Sequence, residues 1–167
     1  MSKDEILKVV IYDNQLLNQK SEEIKEIDKE VRELIKKMFK TMYYSNGIGL
    51  AAVQVGILKR IFVMDVPDQG TYEMINPVII DKSDDTSTYE EGCLSLPGIA
   101  NEVTRSESVV VEYLDIDGNK KRLEASGLLA TCIQHEYDHL NGILFIDRLP
   151  PEIKFEKIKE YNNLHIV

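Results

Sequence analysis

Between residues 24 and 43 the apolar positions Ile27, Val31, Leu34, Ile35, Met38 and Met42 recur every three or four residues, with charged residues between them. This spacing predicts an amphipathic helix, with Asp28 as a cap and Asn46-Gly47 as its stop. The runs 60–66 and 74–80 are short and rich in β-branched residues, and read as strands. Two further strands, 108–116 and 120–124, flank Asp117-Gly118-Asn119, a good hairpin signal. A second helix is expected from about Ser126, a candidate cap, to residue 141, with Gly142 as its stop. Pro150-Pro151 then opens a short final helix over 152–161. The strands do not alternate regularly with helices, which favours α+β over a doubly wound sheet.

Composition narrows the class. A chain of 167 residues fits one domain, residues 1–167, and 43% hydrophobic residues is ordinary for a globular protein. With 20 Lys+Arg against 29 Asp+Glu the net charge is −9, so a phosphate backbone would be repelled by most of the surface. No apolar run approaches the length of a membrane span. Charges at Lys3, Asp4, Glu5 and Lys8, with no apolar core among them, argue against a secretory signal. The expected location is cytoplasmic. Cys93 and Cys132 are too few for a disulfide framework and read as thiols or metal ligands.

The strongest chemical signal is His135-Glu136-Tyr137-Asp138-His139 on the second helix. Residues four apart share a helix face, about 6 Å apart along the axis, so both imidazoles can converge on one metal while Glu136 leans over it as a proton shuttle. Asp138 reads either as a support for the site or as solvated surface. The architecture expected is therefore α+β, with mostly antiparallel β-sheets packed around a central metal-binding helix, an N-terminal helix and a short C-terminal one.

The third ligand decides the class. Metzincin proteases continue to a third histidine, but here Phe145 occupies that position. A thermolysin-like metallopeptidase would take a downstream Glu, and Glu160 is suitably placed, but that leaves Cys93 unexplained. Cys93 lies in Glu91-Gly92-Cys93-Leu94-Ser95-Leu96-Pro97-Gly98, whose glycines and proline suggest a sharply turned loop. Beside a two-histidine site lacking a third ligand, Cys93 is the favoured candidate. A closed structural zinc site of Cys93, Cys132, His135 and His139 is the competing reading. Cys132 shares the face of the histidines but sits about a turn too early for its short side chain, and a closed site would leave Glu136 without purpose. Cys132 is therefore expected to line a pocket, with Leu128 and Ile133 as core or pocket neighbours.

Three segments together, Gly47-Ile48-Gly49-Leu50-Ala51-Ala52-Val53-Gln54, Glu91-Gly92-Cys93-Leu94-Ser95 and Gln134-His135-Glu136-Tyr137-Asp138-His139, resemble the signature segments of peptide deformylases in order and spacing. The resemblance covers nearly the whole chain. It implies a metal-dependent hydrolase that removes the formyl group from the N-terminal formylmethionine of nascent proteins and releases formate. It implies that Cys93, His135 and His139 bind one divalent metal ion, that Glu136 is the general acid and base, and that Gln54 and the N–H of Leu94 stabilise the oxyanion. Ile48 and Gly49 would pair with the substrate backbone, and Ile48, Glu91, Leu128 and Cys132 would line the methionine pocket. The family points to ferrous iron, although zinc, nickel and cobalt also suit these ligands. Ala100 departs from relatives that carry an Arg there for peptide binding. The C-terminal helix mixes Lys154, Lys157 and Lys159 with Glu152, Glu156 and Glu160, so strong ribosome docking is not expected of it. His165 is expected to lie away from every motif. A metallopeptidase that cuts internal bonds and a non-catalytic structural metal protein are the readings held against this one.

Overall fold

The computed structural model describes residues 6–165. Lys3, Asp4 and Glu5, which bear on the export signal, lie outside them. Helix α1 spans Lys29–Tyr44, and the Asp28 carboxylate caps it by accepting from the Val31 N–H at 3.0 Å. Helical spacing continues back to Ile24, but those residues are not helical. The Asn76 side chain accepts from the Ile24 N–H and donates to the Ile24 carbonyl, both at 2.8 Å, and holds that residue outside the helix. The helix stops where expected, with Asn46 at φ 60°.

A five-stranded antiparallel sheet follows, in the order β1 (Gly49–Ala51), β2 (Ile61–Val66), β3 (Gly70–Lys82), β6 (Ser108–Leu114), β7 (Lys120–Ser126). Side chains of a strand alternate between faces. On β2 one face carries Ile61 and Val63, which meet α1 residues Ile35, Met38 and Met42. The other carries Phe62, Met64 and Val66, which meet Leu129, Ala130, Ile133 and Leu140. A strand covered on both faces must be apolar throughout, which is why residues 60–66 read as a continuous run. Strand β3 is longer than its apolar stretch predicts, and its register against β6 shifts around Asn76-Pro77, where Asn76 adopts φ 50°.

Helix α2, Gly127–Leu140, is buried along most of its length between the sheet and a second layer. Ser126 stands at its N-cap with extended backbone, but its side chain makes no capping bond. The second layer is a hairpin of β4 (Thr86–Gly92) and β5 (Ala100–Ser106), with a core of Leu96, Ile99, Val103, Phe145 and Tyr161. Neither strand was expected, because β4 is polar and carries no apolar alternation. Helix α3, Pro151–Leu164, closes the second layer and runs three residues further than predicted. Among the described residues no helix is long and apolar enough to cross a membrane. The observed architecture is the α+β arrangement of antiparallel sheets around a central helix.

Candidate active site

Three elements converge on one point. Helix α2 presents His135 and His139, whose rings lie 5.0 Å apart. The turn that leaves β4 presents Cys93, whose Sγ lies 3.4 Å from Nε2 of His139. The ligand atoms of Cys93, His135 and His139 all fall within 4.8 Å of one another. Metal bonds of about 2.0–2.3 Å bridge nitrogen and sulfur donors at such separations, so these residues fit one ion. Cys132 is not in this group. Burial and the charges of Glu136 and Glu91 push its thiol pKa up to about 12. Glu160 is also elsewhere, on the exposed side of α3 with Lys157 at 3.3 Å. Phe145, which replaces a third histidine, stacks 6.1 Å from the His135 ring.

The imidazoles are held from behind by a charge network. His135 Nδ1 faces Glu91 Oε1 at 2.8 Å, which turns Nε2 toward Cys93 and His139. Arg105 donates to both Glu91 oxygens, from Nε at 2.7 Å and Nη2 at 3.0 Å, and to Asp138 from Nη1 at 2.9 Å. Arg148 completes the chain with bonds to Asp138 at 3.0 and 2.8 Å. Burial alone would raise both carboxyl pKa values, but these hydrogen bonds outweigh it and hold Glu91 and Asp138 below the usual range. Burial would likewise lower His135, but its bonds to Cys93 and Glu91 raise it well above the usual imidazole value. His139, with burial unopposed, is held neutral. Asp138 is thus a buried support, not solvated surface. Arg105 and Arg148 carried no sequence signal.

Glu136 is 4% exposed, and its Oε1 has no hydrogen-bond partner among the described residues. Burial raises its pKa to about 7, with Glu91 adding to the rise and His135 and Arg105 opposing it. Its other oxygen lies 2.5 Å from where a β-carbon on residue 49 would stand, so the position admits only glycine without displacing the carboxylate. Gly47 leaves room in the same way for Leu94. These glycines make space for the protein's own side chains as well as for close backbone approach.

Gln54 sits in a 3-10 turn, Ala52–Val55, directly after β1. Its Oε1 accepts from the Ala51 N–H at 3.0 Å, which fixes the amide so that Nε2 points to Ser95 Oγ at 3.1 Å and Cys93 Sγ at 3.4 Å. Above these groups opens a cleft of about 520 Å³, a volume typical of ligand sites. Ile48, Gly49, Gln54, Glu91, Cys93, Leu94, Leu128, Cys132, His135 and Glu136 all line it, as does Ala100, while His139 lies beneath at 0% exposure. Ile133 is core and does not reach the cleft. Glu91 is on the wall, but both its oxygens are engaged by Arg105 and His135. Thr131, not foreseen, is a further lining residue whose hydroxyl has no partner among the described residues. His165 departs from expectation, because the longer α3 carries it back to the motif turn, where Nε2 donates to the Pro97 carbonyl at 2.9 Å.

Residues 6–154 match the family described as polypeptide deformylase. A peptide deformylase of Pelagibacter ubique is 50% identical over 155 residues, covering 90% of each chain. That of Agrobacterium fabrum is 49% identical over 145 residues, 84% of this chain and 85% of its own. Among solved structures, the Ehrlichia chaffeensis peptide deformylase in complex with actinonin superposes with a TM-score of 0.92 at 39% identity, covering 97% of this chain and 99% of that one. The sequence motifs, the Cys/His/His cluster and these likenesses agree: the chain belongs to the polypeptide deformylase family, metal-dependent hydrolases that remove the formyl group from the N-terminal formylmethionine of new proteins.

Proposed function

We propose that Cys93, His135 and His139 hold the metal of this deformylase and that Glu136 moves the proton. The observation that carries this reading is the convergence of the three donors at a cleft that Glu136 also lines, with a buried carboxylate oxygen that has no partner among the described residues. When bound, the metal supplies Lewis acidity and a lowered pKa for water in its open position. Glu136 takes the proton of the attacking water, a role that a pKa near 7 suits at neutral pH, and passes it to the departing amine. Gln54 Nε2 and the Leu94 N–H donate to the oxygen that gains charge. The oriented amide of Gln54 supports its part in this.

Among the described residues strand β1 is an edge of the sheet, paired only with β2. An extended formylmethionyl peptide adds to its free side at Ile48 and Gly49, with the methionine side chain among Ile48, Leu128 and Cys132 and beside Glu91. Ferrous iron is the native metal, and zinc, nickel or cobalt can replace it, since one thiolate and two imidazoles suit all four. The enzyme acts in the cytoplasm on nascent chains. Helix α3 is a weak ribosome anchor, because Lys154 and Lys157 are paired with Asp147 and Glu160.

The test is formate release. Protein purified without oxygen should contain iron and release formate from formyl-Met peptides while sparing acetyl-Met peptides and internal bonds. Cleavage of internal bonds without formate release would return the metallopeptidase reading.

A further inference from the structure

The end of α3 reaches the wall of the cleft. His165 Nε2 donates to the Pro97 carbonyl at 2.9 Å, and Leu164 Cδ1 lies 3.0 Å from where a β-carbon on Gly98 would stand. The Tyr161 ring packs 4.2 Å from the His165 imidazole. Its hydroxyl donates to the Tyr12 carbonyl at 2.8 Å, and the Tyr12 N–H donates to the Ser95 carbonyl at 2.8 Å. The last turn of α3 therefore holds the segment after Cys93 at two places, directly at Pro97 and through Tyr12 at Ser95.

Residues 96–100 form one wall of the cleft, on a different element from Leu128 and Cys132. Ala100 is tied into β5 opposite Gly92, while ahead of it the Leu96 N–H reaches the Cys93 carbonyl at 2.9 Å and the Ile99 N–H reaches the Leu96 carbonyl at 3.2 Å. Pro97 and Gly98 are exposed, and Gly98 sits at φ 86°, a conformation that favours glycine. Leu96 and Ile99 are anchored in the core, so the exposed Pro97-Gly98 tip is the part that owes its place to what packs behind it.

We propose that His165 is a positioning residue: with Tyr161 it braces the 96–100 turn and so sets the wall against which the peptide beyond methionine lies. This rests on the deformylase reading of the cleft. His165 touches no reacting atom, so its effect falls on binding of extended substrates and not on the chemical step.

The test uses metal-loaded full-length protein and two substrates, formyl-methionine amide and a formyl-Met tripeptide. His165→Ala should raise KM for the tripeptide about fivefold, the worth of one net hydrogen bond, with kcat held. KM for the short substrate should not move. Hydrogen exchange at the Gly98 and Ile99 amides should quicken. His165→Gln, which keeps a donor, should recover both readouts at least in part. Tyr161→Phe, which cuts only the bond to Tyr12, should quicken exchange at Leu96. Unchanged KM and unchanged exchange in His165→Ala would overturn the brace, and so would equal losses on both substrates. If the wild type released no formate, the deformylase reading would fail while the exchange arm still judged the brace.

Discussion

Glu91 Oε1 and His135 Nδ1 lie 2.8 Å apart, and both groups are buried. The contact fixes the tautomer and the direction of the imidazole, and Arg105 holds the carboxylate ionised from the other side. Glu91→Gln should therefore weaken metal binding about 10–100-fold, the usual cost of losing a carboxylate behind a metal-binding histidine. Competition with a chelator measures it. An unchanged affinity would mean that the contact is packing alone.

The space over Gly49 links backbone to chemistry. Gly49→Ala places a methyl group 2.5 Å from the Glu136 oxygen, and a flexible carboxylate gives way before the backbone does. Turnover should fall about 10²-fold from the misplaced proton carrier while the metal stays bound. Glu136→Ala should abolish turnover with metal content equally unaffected. Loss of metal in Glu136→Ala to the extent seen in His135→Ala would show Glu136 to be a ligand.

Gln54 is oriented by the Ala51 N–H, so its Nε2 can face the site only one way. Gln54→Leu keeps the size and removes the donor. The catalytic rate should drop about 10²–10³-fold if that donor stabilises the oxyanion. Steady-state kinetics decide the point, and a near-normal kcat would remove Gln54 from the mechanism.

The helix with both histidines was legible because its composition and spacing coincide: a helical face, two ligands and a glycine stop. Helix α1 was legible for the same reason, its start included, since Asp28 caps it as read; only the apolar spacing back to Ile24 misleads, because Asn76 holds that residue outside the helix from a distant strand. Strands β4 and β5 were not. Their polar residues pair with each other, as Thr88 does with Thr104 at 2.8 Å, and so leave no apolar period to read. With β5 hidden, Arg105 looked like any surface arginine, and Asp138 could not be told from solvated helix surface. Buried ion pairs have no sequence signature, because each partner is recognised only once the fold brings the other to it. The glycines at 47 and 49 were visible as glycines, but the side chains they make room for come from elsewhere in the chain.

The same buried carboxyls predict a pH dependence. Glu91 and Asp138 have pKa values lowered in the folded protein, so the unfolded chain binds more protons in acid. Their contribution to stability is complete above the unfolded carboxyl values of about 4 and is lost as pH falls through the lower folded values. Urea unfolding of the metal-free protein should show stability declining across that acidic range. Asp138→Asn should decline less steeply, and an identical slope would place the sensitivity in other groups.

The proposed site takes its thiolate from Cys93 and not from Cys132, which the helical period alone would nominate. Metal bound per chain, measured on Cys93→Ala, Cys132→Ala and wild type purified side by side, tests it most directly. Cys132→Ala should keep its metal and lose only about 1–3 kcal/mol of stability, as a small buried deletion does. Cys93→Ala should lose its metal and nearly all formate release. A Cys132→Ala protein without metal beside a Cys93→Ala protein that retains it would contradict the assignment.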